Sequence, residues 1–198
     1  NSKGTVDMKF TFDASSLRGK EIVVFETLLQ DGIVVASHED IDDMDQTIEF
    51  LDPKVGTTAA DSDTGNHYSV ADESVTIIDD ISYENLLRGY TYEMVGTLMD
   101  AESGEPILND GKPIEVRKEF EPNKASGKLQ MEFTFNAEGL EGKDIVVFEE
   151  VLFEGEVVAE HKDVTDILQT IHFPGIKTKA LDSLTEDHIS YAGDEVTI

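Results

Sequence analysis

The sequence predicts an all-β chain of immunoglobulin-like β-sandwich domains in tandem. Short runs rich in Val, Ile, Phe, Thr and Tyr alternate with Gly, Asp, Asn and Pro, which is the pattern of strands separated by turns. No window shows a sustained apolar period of about 3.6 residues, so amphipathic helices are not expected. An internal repeat as long as a domain completes the prediction, because several short strands per repeat are typical of a sandwich.

The repeat has two matched parts. Residues 5–50 align without a gap with residues 128–173, and residues 57–77 align with residues 178–198. The period of about 120 residues is too long for a solenoid repeat and has the size of a whole domain.

Prolines mark the predicted domain boundaries. Pro53 and Pro174 fall between the matched segments, where a residue with a fixed φ and no N–H suits a linker. We therefore expect residues 1–52 to be the C-terminal part of one repeat and residues 53–175 to be a complete domain. Residues 176–198 are expected to be the N-terminal strands of a following repeat.

Turn residues and apolar runs place the strands of the complete domain. Asp31-Gly32 and Glu154-Gly155 lie at equivalent positions between apolar runs, and both pairs predict hairpins because glycine tolerates a positive φ. Ser82–Leu87 could form a helical turn. The clearest predicted strands are Val75–Tyr83, Tyr90–Leu98, Leu129–Phe135, Ile145–Phe153 and Glu156–Asp163.

Composition excludes several functions. The formal net charge of -28, from 43 acidic and 15 basic residues, disfavours binding to nucleic acid and to anionic membranes. No segment approaches the roughly 18 consecutive apolar residues of a membrane span. The absence of cysteine excludes disulfides and thiolate chemistry, so a covalent staple would have to join other side chains. We expect neighbouring repeats of the same chain as partners, with no nucleic acid and no membrane insertion of this segment.

Strand alternation puts polar side chains on inward faces. In the last predicted strand Gln169 shares a face with Ile171 and Phe173, and a buried carboxamide without a partner costs about 1–3 kcal/mol. In the first strand of the complete domain, Thr57 faces inward with its apolar neighbours. The internal comparison favours Thr57 over Thr58, because only Thr57 has a threonine counterpart.

Acidic and imidazole groups join this inward face. Asp79 alternates with isoleucines, and His161 and Asp163 share a face with Val157 and Ala159. The run IVVFE ends at Glu149, but the hairpin register leaves open whether Glu149 or Glu150 faces inward. Only the Glu149 position recurs in the earlier copy.

Singly, each of these residues has an ordinary structural explanation, such as packing for a threonine or turn capping for an aspartate. Together, a hydroxyl, a carboxamide, an imidazole and carboxylates favour acyl transfer. Threonine is a weak nucleophile that needs an adjacent base, and a histidine held by a carboxylate supplies one. The electrophile would be the protein's own glutamine, with ammonia leaving.

The motifs VGTTAAD, TIIDDISY, YEMVGTLMD, IVVFE and HKDVTDILQTI resemble those of the intramolecular Thr–Gln ester-bond domains, or VaFE repeats, of Gram-positive cell-surface adhesins. The resemblance covers the complete domain and both flanking segments. It implies stalk repeats of an extracellular, cell-wall-anchored protein whose signal peptide and anchor lie outside this segment. It also implies an autocatalytic, isopeptide-like ester between first and last strands, formed without a cofactor.

The resemblance also implies individual roles. The VaFE motif reads VVFE here, with its glutamate in place as Glu149. Asp163 and Asp166 belong to the His-x-Asp-x-x-Asp-x-x-Gln-Thr pattern and are expected to support the site. The remaining roles are nucleophile for Thr57, acyl donor for Gln169, general base for His161, and assisting acids for Asp79 and Glu149.

The partial copies carry parts of the same set. Glu26, His38, Asp40 and Gln46 recur without a first-strand threonine, and Thr178 recurs without a glutamine. The resemblance therefore implies that only the middle domain closes an intramolecular ester.

Two other functions fit some of the same residues. A calcium-stabilised adhesin domain without a cross-link is suggested by Asp61 and Asp63, which space oxygens like the start of a calcium loop. No Glu lies at the twelfth position, and the second copy has Leu184 in place of Asp63. A hydrolase using the same residues ranks third, because the nucleophile is predicted on an inward strand face.

Overall fold

The structure, a computed structural model, describes residues 3–190, 192–193 and 195–198, so residues 1, 2, 191 and 194 of the two predicted partial repeats lie outside the description. No described segment is a helix long and apolar enough to cross a membrane. The described residues form two 3₁₀ turns, Ser15–Leu17 and Met44–Gln46, and fourteen strands: β1 (Glu21–Val23), β2 (Glu26–Gln30), β3 (Ile33–His38), β4 (Thr47–Glu49), β5 (Lys54–Asp61), β6 (Val75–Glu84), β7 (Tyr92–Asp100), β8 (Leu108–Asn109), β9 (Lys112–Pro113), β10 (Glu115–Phe120), β11 (Gly127–Phe135), β12 (Lys143–Phe153), β13 (Glu156–His161) and β14 (Thr170–Phe173).

Two antiparallel sheets face each other within residues 54–173. One has the order β11-β6-β5, and the other has the order β10-β7-β12-β13 with β14 also paired to β12. Their inner faces bury a common core that includes Ile77 and Phe133 from the first sheet and Leu98, Val147 and Ile171 from the second. The predicted all-β sandwich is confirmed.

The predicted strands agree with the structure to within two residues at each end. Three strands were missed: β8 and β9, of two residues each, and β10, which reads EVRKEF and carries too few apolar residues to show alternation. Strand β10 forms the edge of its sheet beside β7, where Arg117 is paired with Glu93 and Glu115. Such charges are common on edge strands because they discourage pairing with another chain.

Three hairpins turn at an acidic residue followed by glycine. Asp31-Gly32 has φ values of 51° and 79°, and Glu154-Gly155 has 51° and 84°, as the turn residues predict. Asp110-Gly111 forms a third such turn, between β8 and β9. The suggested helical turn at Ser82–Leu87 is wrong, because β6 continues to Glu84 and Asn85 then takes a φ of 59°.

Strand β12 is the centre of the larger sheet. It pairs with β7 on one edge, and β14 and then β13 pair with its other edge. A register shift between Val151 and Leu152 interrupts the β13 pairing. It turns Val157 outward to 39 % exposure, so the expected inward position of Val157 is wrong.

The earlier copy repeats part of this architecture. Strand β1 pairs with β4, and β2 pairs with β3, as the equivalent parts of β12 do with β14 and β13. Its apolar residues are exposed where their counterparts are buried: Phe10 is 60 % exposed, whereas the equivalent Phe133 is fully buried. No strand is assigned to the described residues after Phe173.

Candidate functional site

Four buried polar side chains meet between the two sheets. Strand β5 supplies Thr57, β6 supplies Asp79, β12 supplies Glu149, and the turn before β14 supplies Gln169. Asp79, Glu149 and Gln169 are fully buried, and Thr57 is 9 % exposed. The alternation that buries Ile77 and Val147 also buries the two acids, which lie two residues further along the same strands.

Two hydrogen bonds link these groups across the sheets. Thr57 Oγ1 donates to Glu149 Oε2 at 3.2 Å, and Gln169 Nε2 donates to Asp79 Oδ1 at 3.4 Å. Three buried oxygens of the cluster have no hydrogen-bond partner among the described residues: Asp79 Oδ2, Glu149 Oε1 and Gln169 Oε1. Unsatisfied buried oxygens are costly, so their concentration indicates a functional cluster.

The register resolves which glutamate faces the cluster. Glu149 is opposite His161 in β13 and opposite Gly96 in β7. Glu150 is partly exposed and accepts a hydrogen bond from Lys162 on the outer face.

The carboxyl groups of Asp79 and Glu149 are too poorly solvated to be ionised at the same time. Burial, and next the negative charge of Asp79, raise the pKa of Glu149 to about 10. Burial also raises the pKa of Asp79, to about 6, and the neighbouring carboxyl of Glu149 partly offsets this rise. Two carboxyl groups side by side hold a proton between them, because ionising both places like charges in a low dielectric. Glu149 is therefore a neutral acid at pH 7.

This proton makes stability depend on pH. The raised pKa of Glu149 means that the folded chain keeps a proton that the unfolded chain releases above its ordinary pKa of 4.5. Stability is thus fully present below that value and is lost as pH rises towards the folded pKa, by up to about 1.4 kcal/mol per pH unit. We expect a Thr57→Ala variant, which cannot form an ester, to lose unfolding free energy between pH 5 and 9 in urea titrations.

A Thr57→Ala/Glu149→Gln double variant is the control for that titration. This double variant keeps the chain's other acidic groups but has no titrating carboxyl at position 149. Its free energy of unfolding should therefore fall less steeply as pH rises. Equal slopes for the two variants would remove Glu149 as the source of the pH dependence.

Backbone bonds hold Gln169 between the first strand and the central strand. Ala59 N donates to Leu168 O at 2.9 Å, and Val147 N donates to Gln169 O at 3.2 Å. Gln169 N also donates to Asp166 O at 3.1 Å, closing the turn that precedes β14. The backbone of the residue predicted to be the acyl donor is therefore fixed on both sides.

Asp166 connects the histidine to the same turn. Its Oδ2 lies 2.7 Å from His161 Nε2, and its Oδ1 accepts from Leu168 N at 2.8 Å. A carboxylate at Nε2 favours a proton on that nitrogen and leaves Nδ1 as the basic atom. The hydroxyl of Thr57 is donated to Glu149, and no hydrogen bond between His161 and Thr57 occurs in the described part of the chain.

Asp163 does not join the cluster. Strand β13 ends at His161, so the alternation predicted to turn Asp163 inward stops before it. Asp163 is exposed and caps the following turn by accepting from Thr165 N and Thr165 Oγ1.

Asp61 and Asp63 form a turn rather than a cation cage. Asp61 Oδ1 accepts from Asp63 N and Thr64 N, and Asp61 Oδ2 accepts from Ser69 Oγ at 2.7 Å. In the following segment Asp182 makes the equivalent bonds. Among the described residues no group of three His, Asp or Glu side chains is placed to hold a metal ion. Turn capping explains why the aspartate recurs, and the calcium interpretation is not favoured.

The earlier copy repeats half of the cluster. Glu26 is opposite His38 in the β2–β3 pair, and His38 Nε2 lies 2.9 Å from Asp43 Oδ2. Gln46 ends the 3₁₀ turn before β4, and Asp40 caps its own turn by accepting from Asp42 N.

Asp43 was not among the predicted site residues, although it aligns with Asp166 in the internal repeat. In the following segment, Thr178 is exposed and lies in no strand. Neither partial copy therefore has both a threonine and a glutamine at its cluster.

The chain matches one family model and is similar in fold to solved adhesin structures. A family model described as "T-Q ester bond containing domain" matches residues 1–50 and 53–173. Two crystal forms of a bacterial adhesin from Mobiluncus mulieris, described as containing intramolecular disulfide, isopeptide and ester bond cross-links, share the fold. Their TM-scores are 0.52 and 0.51 at 19% and 20% identity.

The match to each adhesin structure covers 62% of this chain and 57% of the adhesin chain. No curated protein matches the sequence. The family match spans nearly the whole sequence, and the chain therefore belongs to the T-Q ester bond containing domain family.

Proposed function

We propose that this segment is a structural stalk of a cell-surface adhesin, and that residues 53–175 staple themselves with an ester between Thr57 and Gln169. The observation that carries the proposal is the placement of both side chains on one buried carboxyl pair, Thr57 on Glu149 and Gln169 on Asp79. Family membership supplies the bond type.

The reaction is a single intramolecular acyl transfer. Thr57 Oγ1 forms a bond to the side-chain carbonyl carbon of Gln169, and the carbon–nitrogen bond of the carboxamide breaks. The hydroxyl proton ends on the departing nitrogen, so the products are an ester and ammonia. The chain acts once on itself and has no turnover.

Each remaining group of the cluster has a role in this step. His161 takes the proton from Thr57 and passes it to the leaving nitrogen, with Asp166 holding the imidazole in the basic tautomer. Protonated Glu149, paired with Asp79, gives its proton to the carbonyl oxygen as negative charge develops there, and it takes the proton back when the carbon–nitrogen bond breaks. The unpartnered Gln169 Oε1 is the atom that receives this proton.

The cellular setting follows from the stalk role. The staple joins β5 to the start of β14, so a pull on the two ends of the domain acts across a covalent bond. Residues 1–52 and 176–198 belong to neighbouring repeats, which are the partners of the complete domain within a chain anchored to the cell wall.

Intact mass tests the cross-link directly. We expect the purified chain to be lighter than its sequence mass by one ammonia, and Thr57→Ala and Gln169→Ala chains to show their full masses. Mild hydroxylamine should open the ester in the parent, because hydroxylamine attacks esters faster than amides.

Two substitutions serve as matched controls for the mass measurement. Thr58→Ala changes the exposed neighbour of the nucleophile, and Gln46→Ala changes the equivalent glutamine in the copy without a threonine. Both chains should still lose ammonia. Full mass in the folded parent would overturn the proposed cross-link.

A further inference from the structure

Gly96 has no side chain, and the missing Cβ leaves a small space beside the buried cluster, which we call the notch. Gly96 lies on the inner face of β7, directly opposite Glu149 in β12. A Cβ atom at Gly96 would lie 2.6 Å from Phe133 Cζ and 3.3 Å from Met131 Cε. Real Cβ atoms essentially never make a contact of 2.6 Å, and one of 3.3 Å is tight, so the two side chains occupy space that a residue larger than glycine would need.

The notch is filled from the opposite sheet. Met131 is the register partner of Asp79 in the β11–β6 pair, and Phe133 follows on the same inward face. Met131 is 2 % exposed and Phe133 is fully buried. The earlier copy carries Met8 and Phe10 at the equivalent positions. The Met131 and Phe133 side chains therefore cover the carboxyl pair of Asp79 and Glu149 on the side away from Thr57.

We propose that Gly96 is a positioning residue for ester formation: it admits Phe133 and Met131 beside the carboxyl pair and so keeps water away from Glu149. This inference rests on the proposed cross-link. Glycine in a strand centre gives up packing and adds unfolded-state entropy, which makes its presence here meaningful. Water kept out of the cluster strengthens every interaction with the developing charge.

The groups that act on Glu149 come from several elements. Asp79 faces it from β6, His161 lies opposite it in β13, and Asp166 contributes a further negative charge from the turn before Gln169. A change at Gly96 removes none of these groups. A shift in the titration of Glu149 after such a change would therefore report on water entry.

The test uses the full chain, isolated unfolded from inclusion bodies and refolded by dilution, with ammonia loss followed by mass at several pH values. We expect Gly96→Ala to slow cross-linking by roughly 10- to 100-fold, because displaced side chains misplace the reacting groups. We also expect the alkaline limb of its rate profile to move to lower pH by about one unit. Circular dichroism checks that the variant folds.

Two further changes separate positioning from loss of packing. Gly56→Ala adds a methyl to a strand glycine beside Thr57, at 3.4 Å from Ser82 Oγ, and should cross-link like the parent. Phe133→Leu added to Gly96→Ala removes the clash, so the double variant should cross-link faster than Gly96→Ala alone.

The outcomes distinguish this inference from the proposed function. A parent chain that keeps its ammonia overturns both. If the parent cross-links and Gly96→Ala cross-links at the same rate, only the role of Gly96 is overturned. The same conclusion holds if Gly96→Ala is slower but the alkaline limb of its rate profile does not move. If Gly96→Ala fails to fold, the Phe133→Leu single variant provides the test. The alkaline limb of its cross-linking rate profile should move to lower pH, and a limb that does not move overturns the inference.

Discussion

Under tension, the parent chain is expected to stay closed between Thr57 and Gln169, whereas the Thr57→Ala variant should extend through that whole segment. The ester would carry the force past the hydrogen-bonded sheets, because it joins β5 to the start of β14. The segment of about 110 residues would add roughly 360–400 Å of extended chain once the variant unfolds. Single-molecule force spectroscopy with handles at both ends measures this difference.

The same pair of chains should differ in equilibrium stability. A cross-link that closes a loop of about 110 residues restricts the unfolded state and contributes about 5 kcal/mol if it acts like a disulfide of that span. For a domain of this size such a loss lowers the melting temperature by on the order of 20 °C. Gln169→Ala should lose the same contribution, since both variants lack the same bond.

Thr58→Ala is the control for both measurements, because its side chain is exposed on the neighbouring position of the same strand. It should match the parent in extension and in melting temperature. A Thr57→Ala chain that resists extension as the parent does would show that the sheets, and not an ester, carry the force.

The strand pattern of the complete domain could be predicted because its inward positions are apolar at every second residue. Strand β6 shows this well, with Ile77 and Ile81 on either side of Asp79. Strand β10 could not be predicted, since four of its six residues are charged and only its pairing with β7 defines it. Pairing between distant segments leaves no local signal in such a strand.

The polar cluster was predictable from alternation and from the internal repeat. Thr57, Asp79 and Gln169 each fall on an inward face, and the structure brings all three together with Glu149. Asp163 was misplaced because alternation was extended beyond the end of β13. Where a strand ends is set by tertiary contacts, here the turn that Asp166 closes onto His161.

The role proposed for Gly96 could not be derived from the sequence. A glycine in a strand predicts a bulge or a close approach, but the partner in that approach comes from β11, distant in the sequence. The sequence also left Glu149 and Glu150 undecided, because the register of β12 depends on a shift beyond Val151. Both features are properties of the assembled sheets.

Replacing Glu149 with glutamine is expected to leave the fold intact and to slow cross-linking by roughly 10²- to 10⁴-fold. The raised pKa of Glu149 keeps its carboxyl neutral, so a neutral amide of the same shape fits the site without adding charge. The amide can donate a hydrogen bond, but it cannot release a proton to the carbonyl oxygen of Gln169 as the new bond forms. Mass spectrometry after refolding gives the rate.

Two glutamates provide matched controls for this substitution. Glu26→Gln alters the equivalent position in the copy that lacks a threonine, and Glu150→Gln alters the exposed neighbour that is paired with Lys162. Both chains should cross-link at the parent's rate. A Glu149→Gln chain that loses ammonia as fast as the parent would show that hydrogen bonding alone suffices at this position. Proton transfer from the buried acid would then have no part in the reaction.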